Sequence, residues 1–112
     1  MTYLEIVTPD VDDVCATYAQ IHGVVFGEPE AALGGARTAS LSDGGTIGVR
    51  APMHAAEAPV VRPYLLVDDL EAAVEAAEAR GALLAHPPME IAERGRFAIY
   101  IEGDIHHGLW ER

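Results

Sequence analysis

The internal repeat constrains the fold more than any other feature of this sequence. Residues Tyr3 to Asp10 and residues Arg62 to Asp69 share one plan, in which an apolar stretch ends at an aspartate and a helical pattern follows. The two halves also close alike, with Gly48-Val49-Arg50 in the first and Gly108-Leu109-Trp110 in the second. Such a repeat predicts two copies of one structural unit. Because each copy alone would leave one face of its sheet uncovered, two copies must pack together, within one chain or between two chains.

Each half predicts one helix and four strands. After Asp10 and after Asp69, apolar side chains recur at the spacing of an amphipathic helix. Gly23 and Gly81 follow these patterns and are typical of left-handed helix C-caps. The remaining apolar stretches are separated by turn residues and predict strands. These strands cover residues 2–8, 24–27, 36–41, 45–51, 61–67, 82–85, 96–102 and 105–111.

The length of the chain predicts one domain. With 112 residues, of which 50% are hydrophobic, it is long enough for one core and short for two. Within a single domain of residues 1–112, we expect a first module over about residues 1–51, a linker over about 52–60 and a second module over about 61–112. The linker contains two prolines and shows no hydrophobic periodicity.

The charge balance excludes two classes of partner. The chain has 7 lysines and arginines against 18 aspartates and glutamates, which gives a net charge of −11. Binding to nucleic acid needs clustered cations, and so does binding to an anionic membrane surface. We therefore expect neither nucleic acid nor a membrane as a partner.

The single cysteine and the start of the chain indicate a cytoplasmic protein. Cys15 has no second cysteine with which to form a disulfide, and it lies on the apolar stripe of the first helix, as a small core residue would. No apolar run is long enough to span a bilayer, and the first residues lack an export signal.

The order and spacing of these motifs resemble those of the vicinal oxygen chelate superfamily, which includes glyoxalase I, extradiol dioxygenases and bleomycin-resistance proteins. The resemblance implies an α+β fold, in which two tandem βαβββ modules form a half-open curved sheet around a cavity. It also implies a homodimer, with a cavity completed within one chain or across two. The residues that carry it are Glu5–Asp10, Val67–Ala73, Gly81-Ala82, Phe97–Ile101 and Gly108–Trp110.

The resemblance also implies where a metal ion would be bound. Metal-dependent members place one ligand on the first strand and one on the last strand of each module, and these positions correspond here to Tyr3, Gly48, Arg62 and Gly108. Tyrosine is a rare ligand at neutral pH, arginine has no free lone pair and glycine has no side chain. We therefore expect no metal ion and no other cofactor. Gly48 and Gly108 would instead leave room where other members hold the metal.

A different register of the last strand gives the alternative. Counting forward from Asp104 places Glu111 at the ligand position, and Glu5 shares the cavity face with Tyr3. Together with a histidine, Glu5 and Glu111 could then bind one divalent ion. For the histidines themselves we expect exposed or structural roles, and His86, which precedes two prolines, is assigned to a loop.

Strand alternation selects the residues that would line the cavity. They combine aromatic walls with a few polar groups, which is the composition of a small-molecule site. An arginine buried there needs a carboxylate, so Glu5 is expected to pair with Arg62 or with Arg50, or these groups contact a ligand. The candidate ligand-binding residues are Tyr3, Glu5, Gly48, Arg50, Arg62, Tyr64, Gly108 and Trp110.

These features predict a metal-independent protein that binds, and sequesters, a small molecule. The acidity of the chain suits a cationic or aromatic ligand, whereas Arg50 and Arg62 suit a carboxylate. The alternative is a metal-dependent enzyme, either a glyoxalase-like lyase or isomerase or an extradiol-dioxygenase-like enzyme. A further possibility is a metal-free isomerase or hydrolase in which Glu5 is the catalytic base.

Overall fold

The structure is a computed structural model and describes residues 2–112. The chain divides into two compact units, which we call module 1, residues Tyr3–Val61, and module 2, residue Thr2 with Arg62–Arg112. Each module combines one α-helix with β-strands. The predicted α+β class is therefore confirmed.

Module 1 has three strands in its sheet. Its elements are β1 (Tyr3–Val7), α1 (Val11–His22), a 3-10 turn (Ala31–Leu33), β2 (Arg37–Ser40) and β3 (Thr46–Arg50). The strand order is β2-β3-β1, with β1 parallel and β2 antiparallel to β3. The helix packs on one face of this sheet, where Ile6, Cys15, Ile47 and Val49 form a buried core. The polar residues Glu5 and Arg50 of β1 and β3 lie on the other face, and both are buried.

The strand predicted over residues 24–27 is absent from the sheet of module 1. This segment runs beside β2 without regular pairing: the Gly27 N–H donates to the Thr38 carbonyl at 2.9 Å, and Glu30 forms an isolated bridge with Ala36. Pro29 lies between these two contacts and has no N–H to donate to a ladder. The interruption therefore leaves module 1 one strand short of the predicted plan.

Module 2 follows the predicted plan of strand, helix and three strands. Its elements are β4 (Val60–Leu66), α2 (Leu70–Ala79), β5 (Leu83–Ile91), β6 (Gly95–Glu102) and β7 (Ile105–Glu111). The strand order is β4-β7-β6-β5, with β4 parallel to β7 and the other pairs antiparallel. The strand β5 extends beyond the predicted residues 82–85, and its register shifts between Leu84 and Met89, around Pro87-Pro88.

Each helix has a different start. The Asp69 carboxylate accepts a hydrogen bond from the Ala72 N–H at 3.0 Å and caps α2, whereas the Asp10 side chain makes no such bond to α1. The end of α1 is the predicted left-handed Gly23, whose N–H bonds the Ala19 carbonyl. Among residues 2–112, neither helix has the length and apolar character needed to cross a membrane.

Candidate functional site

Strand register places half of the predicted site residues on one face of module 1. Glu5 pairs with Gly48, and Val7 pairs with Arg50, in the parallel ladder of β1 and β3. Since Ile6 and Val49 on the same strands pack against α1, side chains at the alternate positions point to the opposite face. Tyr3, Glu5, Gly48 and Arg50 therefore share the face away from α1.

The remaining predicted residues share the corresponding face of module 2. Tyr64 pairs with Gly108, and Leu109 belongs to the core under α2, so Gly108 and Trp110 point away from that helix. Arg62 lies two residues before Tyr64 on β4 and is half-buried. The preferred register of the last strand, with Gly108 and Trp110 on one face, is the one that the structure has.

The prediction that Gly48 and Gly108 leave room for a ligand is wrong. A Cβ atom on Gly48 would overlap the hydroxyl of Tyr3, because the tyrosine ring lies over the glycine. A Cβ atom on Gly108 would lie 2.5 Å from Cδ2 of Tyr64 and 2.9 Å from the Pro63 carbonyl oxygen. Each module thus covers a glycine of its last strand with a tyrosine of its first strand, and the space expected there is filled by an aromatic ring.

These contacts decide whether a divalent ion fits the positions where the resemblance implies metal ligands, namely Tyr3, Gly48, Arg62 and Gly108. Tyr3 offers a phenol oxygen, which is directed over Gly48, while the other positions offer a guanidinium and two glycines. Divalent ions need several carboxylate, imidazole or thiolate ligands around one point. The residues at these four positions do not fit a metal ion.

The buried polar centre of module 1 is Arg50. Its Nε donates to Oε2 of Glu5 at 2.8 Å, and its Nη1 and Nη2 donate to the two carboxylate oxygens of Glu57 at 2.9 and 2.7 Å. The three side chains are 5% exposed for Arg50, 10% for Glu5 and 18% for Glu57. Of the two predicted pairings, the Glu5–Arg50 pair is therefore formed.

Glu57 was not among the predicted site residues. It is the only acidic residue between Arg50 and Val60, and a buried arginine on the preceding strand requires a carboxylate, so these two signals together could have identified it. Hydrogen bonding from Arg50, opposed by burial, lowers the pKa of Glu57 to about 2. The same bonds raise the pKa of Arg50 above its ordinary value, so the pair is fully charged at neutral pH.

Module 2 gathers four rings on the face away from α2. The ring of Tyr64 meets the ring of Trp110 edge-on, with centroids 5.7 Å apart, and that of Phe97 at 6.0 Å. The His86 ring stacks on Phe97 with centroids 4.7 Å apart. Tyr64 and Trp110 are buried, whereas Phe97 and His86 are half-buried. The cluster therefore has a closed base and an accessible side.

We call these four residues the aromatic cluster: Tyr64, His86, Phe97 and Trp110. The sequence predicted Tyr64 and Trp110 as site residues but not Phe97 and His86. Phe97 pairs directly with Trp110 across β6 and β7, so alternation along β6 could have identified it. The prediction that His86 lies in a loop is wrong, because His86 belongs to β5. No local pattern indicates that strand, since prolines at two successive positions argue against it.

Glu111 lies on the wrong face for the alternative metal site. Like Leu109, it points to the α2 side of the sheet. Its Oε2 accepts from the Leu70 N–H at 2.9 Å, and its Oε1 accepts from Nε and Nη2 of Arg96 at 3.0 and 2.8 Å. The register that puts Glu111 at the ligand position is therefore wrong, and its carboxylate holds the start of α2 instead.

Three carboxylates do converge at the start of α2. Oxygen atoms of Asp69, Glu71 and Glu111 lie within 4.8 Å of one another. Arg96 binds two of them, donating to Glu71 at 2.6 and 2.7 Å and to Glu111. Its guanidinium provides the positive charge that this acidic cluster needs, and hydrogen bonding from Arg96 lowers the pKa of Glu71 to about 2.

Comparison with solved structures shows what the fold is similar to. Methylmalonyl-CoA epimerase from Mycobacterium tuberculosis is 19% identical, with a TM-score of 0.73 over 98% of this chain and 85% of that chain. A hypothetical protein from Bacillus halodurans is 13% identical, with a TM-score of 0.76 over 100% and 93%. Methylmalonyl-CoA epimerase from Streptomyces coelicolor, in complex with 2-nitronate-propionyl-CoA, is 17% identical, with a TM-score of 0.68 over 99% and 95%.

These likenesses show the fold, which is the α+β fold of the glyoxalase and bleomycin-resistance type. Comparisons with models of protein families and with curated protein sequences give no match. At such low identity the solved structures do not carry a function over to this chain.

Proposed function

We propose that this protein binds a small molecule without a metal ion, and that the aromatic cluster of module 2 is the binding surface. The observation that carries the proposal is the arrangement of rings. Tyr64 and Trp110 form a buried base, and Phe97 and His86 lie half-buried beside them. A rigid base with an accessible side is what a planar ligand needs for stacking.

The geometry of the rings favours an unsaturated or aromatic ligand. The Phe97 and Trp110 rings are close to parallel, with an interplanar angle of 30°, and the His86 and Phe97 rings meet at 28°. A planar ligand can continue such a stack, and each aromatic contact contributes about 0.5–1.5 kcal/mol beyond the area that it buries. The indole N–H is already bonded to the Arg94 carbonyl at 2.8 Å, so the Trp110 ring is held in place before a ligand arrives.

The donor sets of both modules support metal independence. The residues at the four family positions do not fit a divalent ion, Glu5 is bonded to Arg50, and Glu111 is bonded to Arg96 and to α2. The buried Glu5 carboxylate would have to leave its pair with Arg50 before it could bind a metal, at a cost on the order of a few kcal/mol. The metal-dependent alternative has the weaker support.

Native mass spectrometry and tryptophan fluorescence test the proposal. Native mass spectrometry of the protein as purified reports the number of chains, any metal and any small molecule that remains bound. Trp110 is the only tryptophan and lies in the cluster, so its fluorescence reports binding directly. Two probes are titrated: 2-naphthamide, which is planar and neutral, and methylmalonyl-CoA, because solved proteins of this fold bind CoA thioesters.

A matched pair of variants distinguishes binding at the cluster from other effects. We expect saturable quenching of Trp110 by at least one probe, and a loss of affinity of roughly tenfold in Phe97→Leu. Tyr100→Leu is the control, because Tyr100 is an aromatic residue of the same strand on the α2 face. Equal affinities in the two variants, or a metal ion bound in a one-to-one ratio, would contradict the proposal.

A second candidate is an isomerase that uses Glu5 as a base. Two observations favour it: the Glu5 carboxylate is buried on the face away from α1, and several solved structures of this fold are epimerases. The test is deuterium incorporation into methylmalonyl-CoA in D2O. Turnover that is lost in Glu5→Gln would support this activity, and turnover that is the same in both proteins would exclude Glu5 as the base.

A further inference from the structure

Hydrogen bonds from the buried guanidinium of Arg50 attach a short segment of module 1 to its sheet. Residues 51–59 connect β3 to β4, and most of their side chains are exposed. Glu57 is half-buried, and both of its oxygens bind the buried guanidinium of Arg50, whose Nη1 also donates to the Ala51 carbonyl at 3.2 Å. Oε1 of Glu57 also accepts from the Met53 N–H at 2.7 Å, which closes a turn within the segment.

The contact between Glu57 and Arg50 has the geometry of ligand recognition. Two parallel N–H donors meet the two oxygens of one carboxylate, which is how arginine binds carboxylates selectively. Meanwhile the Nε atom is held by Glu5, so the guanidinium keeps its position on β3 independently of Glu57. The Glu5–Arg50 pair therefore presents a fork that any carboxylate of suitable shape can fill.

We propose that Arg50 is a carboxylate-binding site in module 1, and that Glu57 is its built-in occupant, which a carboxylate ligand replaces. Exchange of one carboxylate for another conserves the two hydrogen bonds and the charge, so Arg50 is never left buried without a partner. When Glu57 leaves, its bonds to Arg50 and to the Met53 N–H are lost, and the part of the segment beyond Ala51 is released from the sheet. The segment is therefore a latch over the site.

Competition with the latch sets the concentration at which a ligand acts. A group tethered by a short flexible segment has an effective concentration of roughly millimolar. A simple carboxylate must reach or exceed that level to displace Glu57, whereas a ligand with further contacts needs less. This inference goes beyond the proposed aromatic site, and its test uses no aromatic ligand.

Removal of the latch should make the site open to a free carboxylate. In Glu57→Ala we expect a fall in the melting temperature of roughly 10 °C, because a buried cation loses its bidentate partner. Sodium acetate should recover at least half of that loss, when compared with sodium chloride at equal ionic strength. If Glu57→Ala does not fold, Glu57→Gln keeps one acceptor oxygen and should show the same preference for acetate.

Glu71→Ala is the matched control. Glu71 also binds an arginine through both oxygens, but the side chains are 57% exposed for Glu71 and 31% for Arg96. Water can solvate that arginine, so acetate should stabilise this variant no more than chloride does. An acetate effect of equal size in Glu57→Ala and Glu71→Ala, or no acetate effect in either, overturns the proposal.

The unchanged protein tests whether the latch opens. Hydrogen exchange is followed in the peptide that contains Met53, with acetate and with chloride. We expect exchange there to become at least severalfold faster in acetate, while exchange in α2 stays the same. Exchange that does not depend on the anion, even at acetate concentrations well above both those that rescue Glu57→Ala and the effective concentration of Glu57, would show that the site exists but that Glu57 does not leave it, and the proposed latch would be wrong.

Discussion

At the scale of single residues, two glycines and one glutamate decide the chemistry of the candidate sites. Gly48 and Gly108 occupy positions where the resemblance implies metal ligands, and each is covered by a tyrosine. Both glycines were predicted from the sequence as site residues, but the space expected beside them is filled by the tyrosine rings. Whether a neighbouring ring turns onto a glycine depends on the rotamer of a side chain on another strand, and alternation does not specify rotamers.

Alanine at either glycine should destabilise the protein. We expect Gly48→Ala and Gly108→Ala each to lower the free energy of unfolding by about 1–3 kcal/mol, because the added methyl group displaces a packed ring. Gly27→Ala is the control, since its Cβ would meet only the Thr38 carbonyl oxygen, at 3.9 Å. Urea denaturation measures all three. A change for Gly48→Ala as small as that for Gly27→Ala would show that the tyrosine ring moves freely.

The protonation of Glu57 should make stability depend on pH. Its pKa falls from 4.5 in the unfolded chain to about 2 in the folded protein. Glu57 therefore contributes its full stabilisation above pH 4.5 and loses it as the pH falls towards 2. In Glu57→Gln, the decline in unfolding free energy over this interval should be shallower than in the unchanged protein.

Glu71 gives the comparison for this pH effect. Its pKa is also lowered to about 2, but its side chain is more than half exposed, so solvent screens the interaction. Urea denaturation at several pH values gives the dependence of the unfolding free energy on pH. Glu71→Gln should change this dependence less than Glu57→Gln does. The reverse order would mean that the buried pair contributes less than the exposed one.

At the scale of elements, the helices and most strands follow the sequence pattern closely. The end of α1 is the predicted Gly23, and β7 covers the predicted residues 105–111. The exceptions are residues 24–27, which remain outside the sheet, and β5, which continues through Pro87-Pro88. Both exceptions involve proline near an edge, where pairing depends on the neighbouring strand and local propensity decides little.

The two helix starts provide a test at this scale. Asp69 caps α2 with its side chain, so Asp69→Ala should lower the free energy of unfolding by about 1 kcal/mol. Asp10 precedes α1 in the same position of the repeat but makes no side-chain cap. Asp10→Ala should therefore lower the free energy of unfolding clearly less than Asp69→Ala does, as measured by urea denaturation. Equal decreases in the two variants would indicate that Asp10 caps its helix in solution.

At the scale of the whole molecule, the resemblance leads us to propose a homodimer. Apolar side chains of module 2 remain in contact with solvent, among them Leu66, Leu83 and Met89. Exposed apolar surface of this kind is typical of interaction sites and favours association. The net charge of −11 opposes indiscriminate aggregation and is compatible with a specific dimer.

Light scattering tests the dimer directly. We expect a molar mass of twice 11.9 kDa at micromolar concentration. Leu83→Glu should shift the mass towards that of one chain if the exposed apolar side chains of module 2 form the interface. A mass of one chain for the unchanged protein at all accessible concentrations would contradict the dimer.

The sequence by itself determined the α+β class, the repeat and the face on which most predicted residues lie. These follow from periodicity, because a helix repeats every 3.6 residues and a strand every 2 residues wherever they occur. Tertiary structure decided the partners: Glu57 for Arg50, Arg96 for Glu111, and Phe97 for both Trp110 and His86. Such pairs depend on strand pairing, on the path of a connecting segment and on rotamer choice, none of which a local pattern specifies.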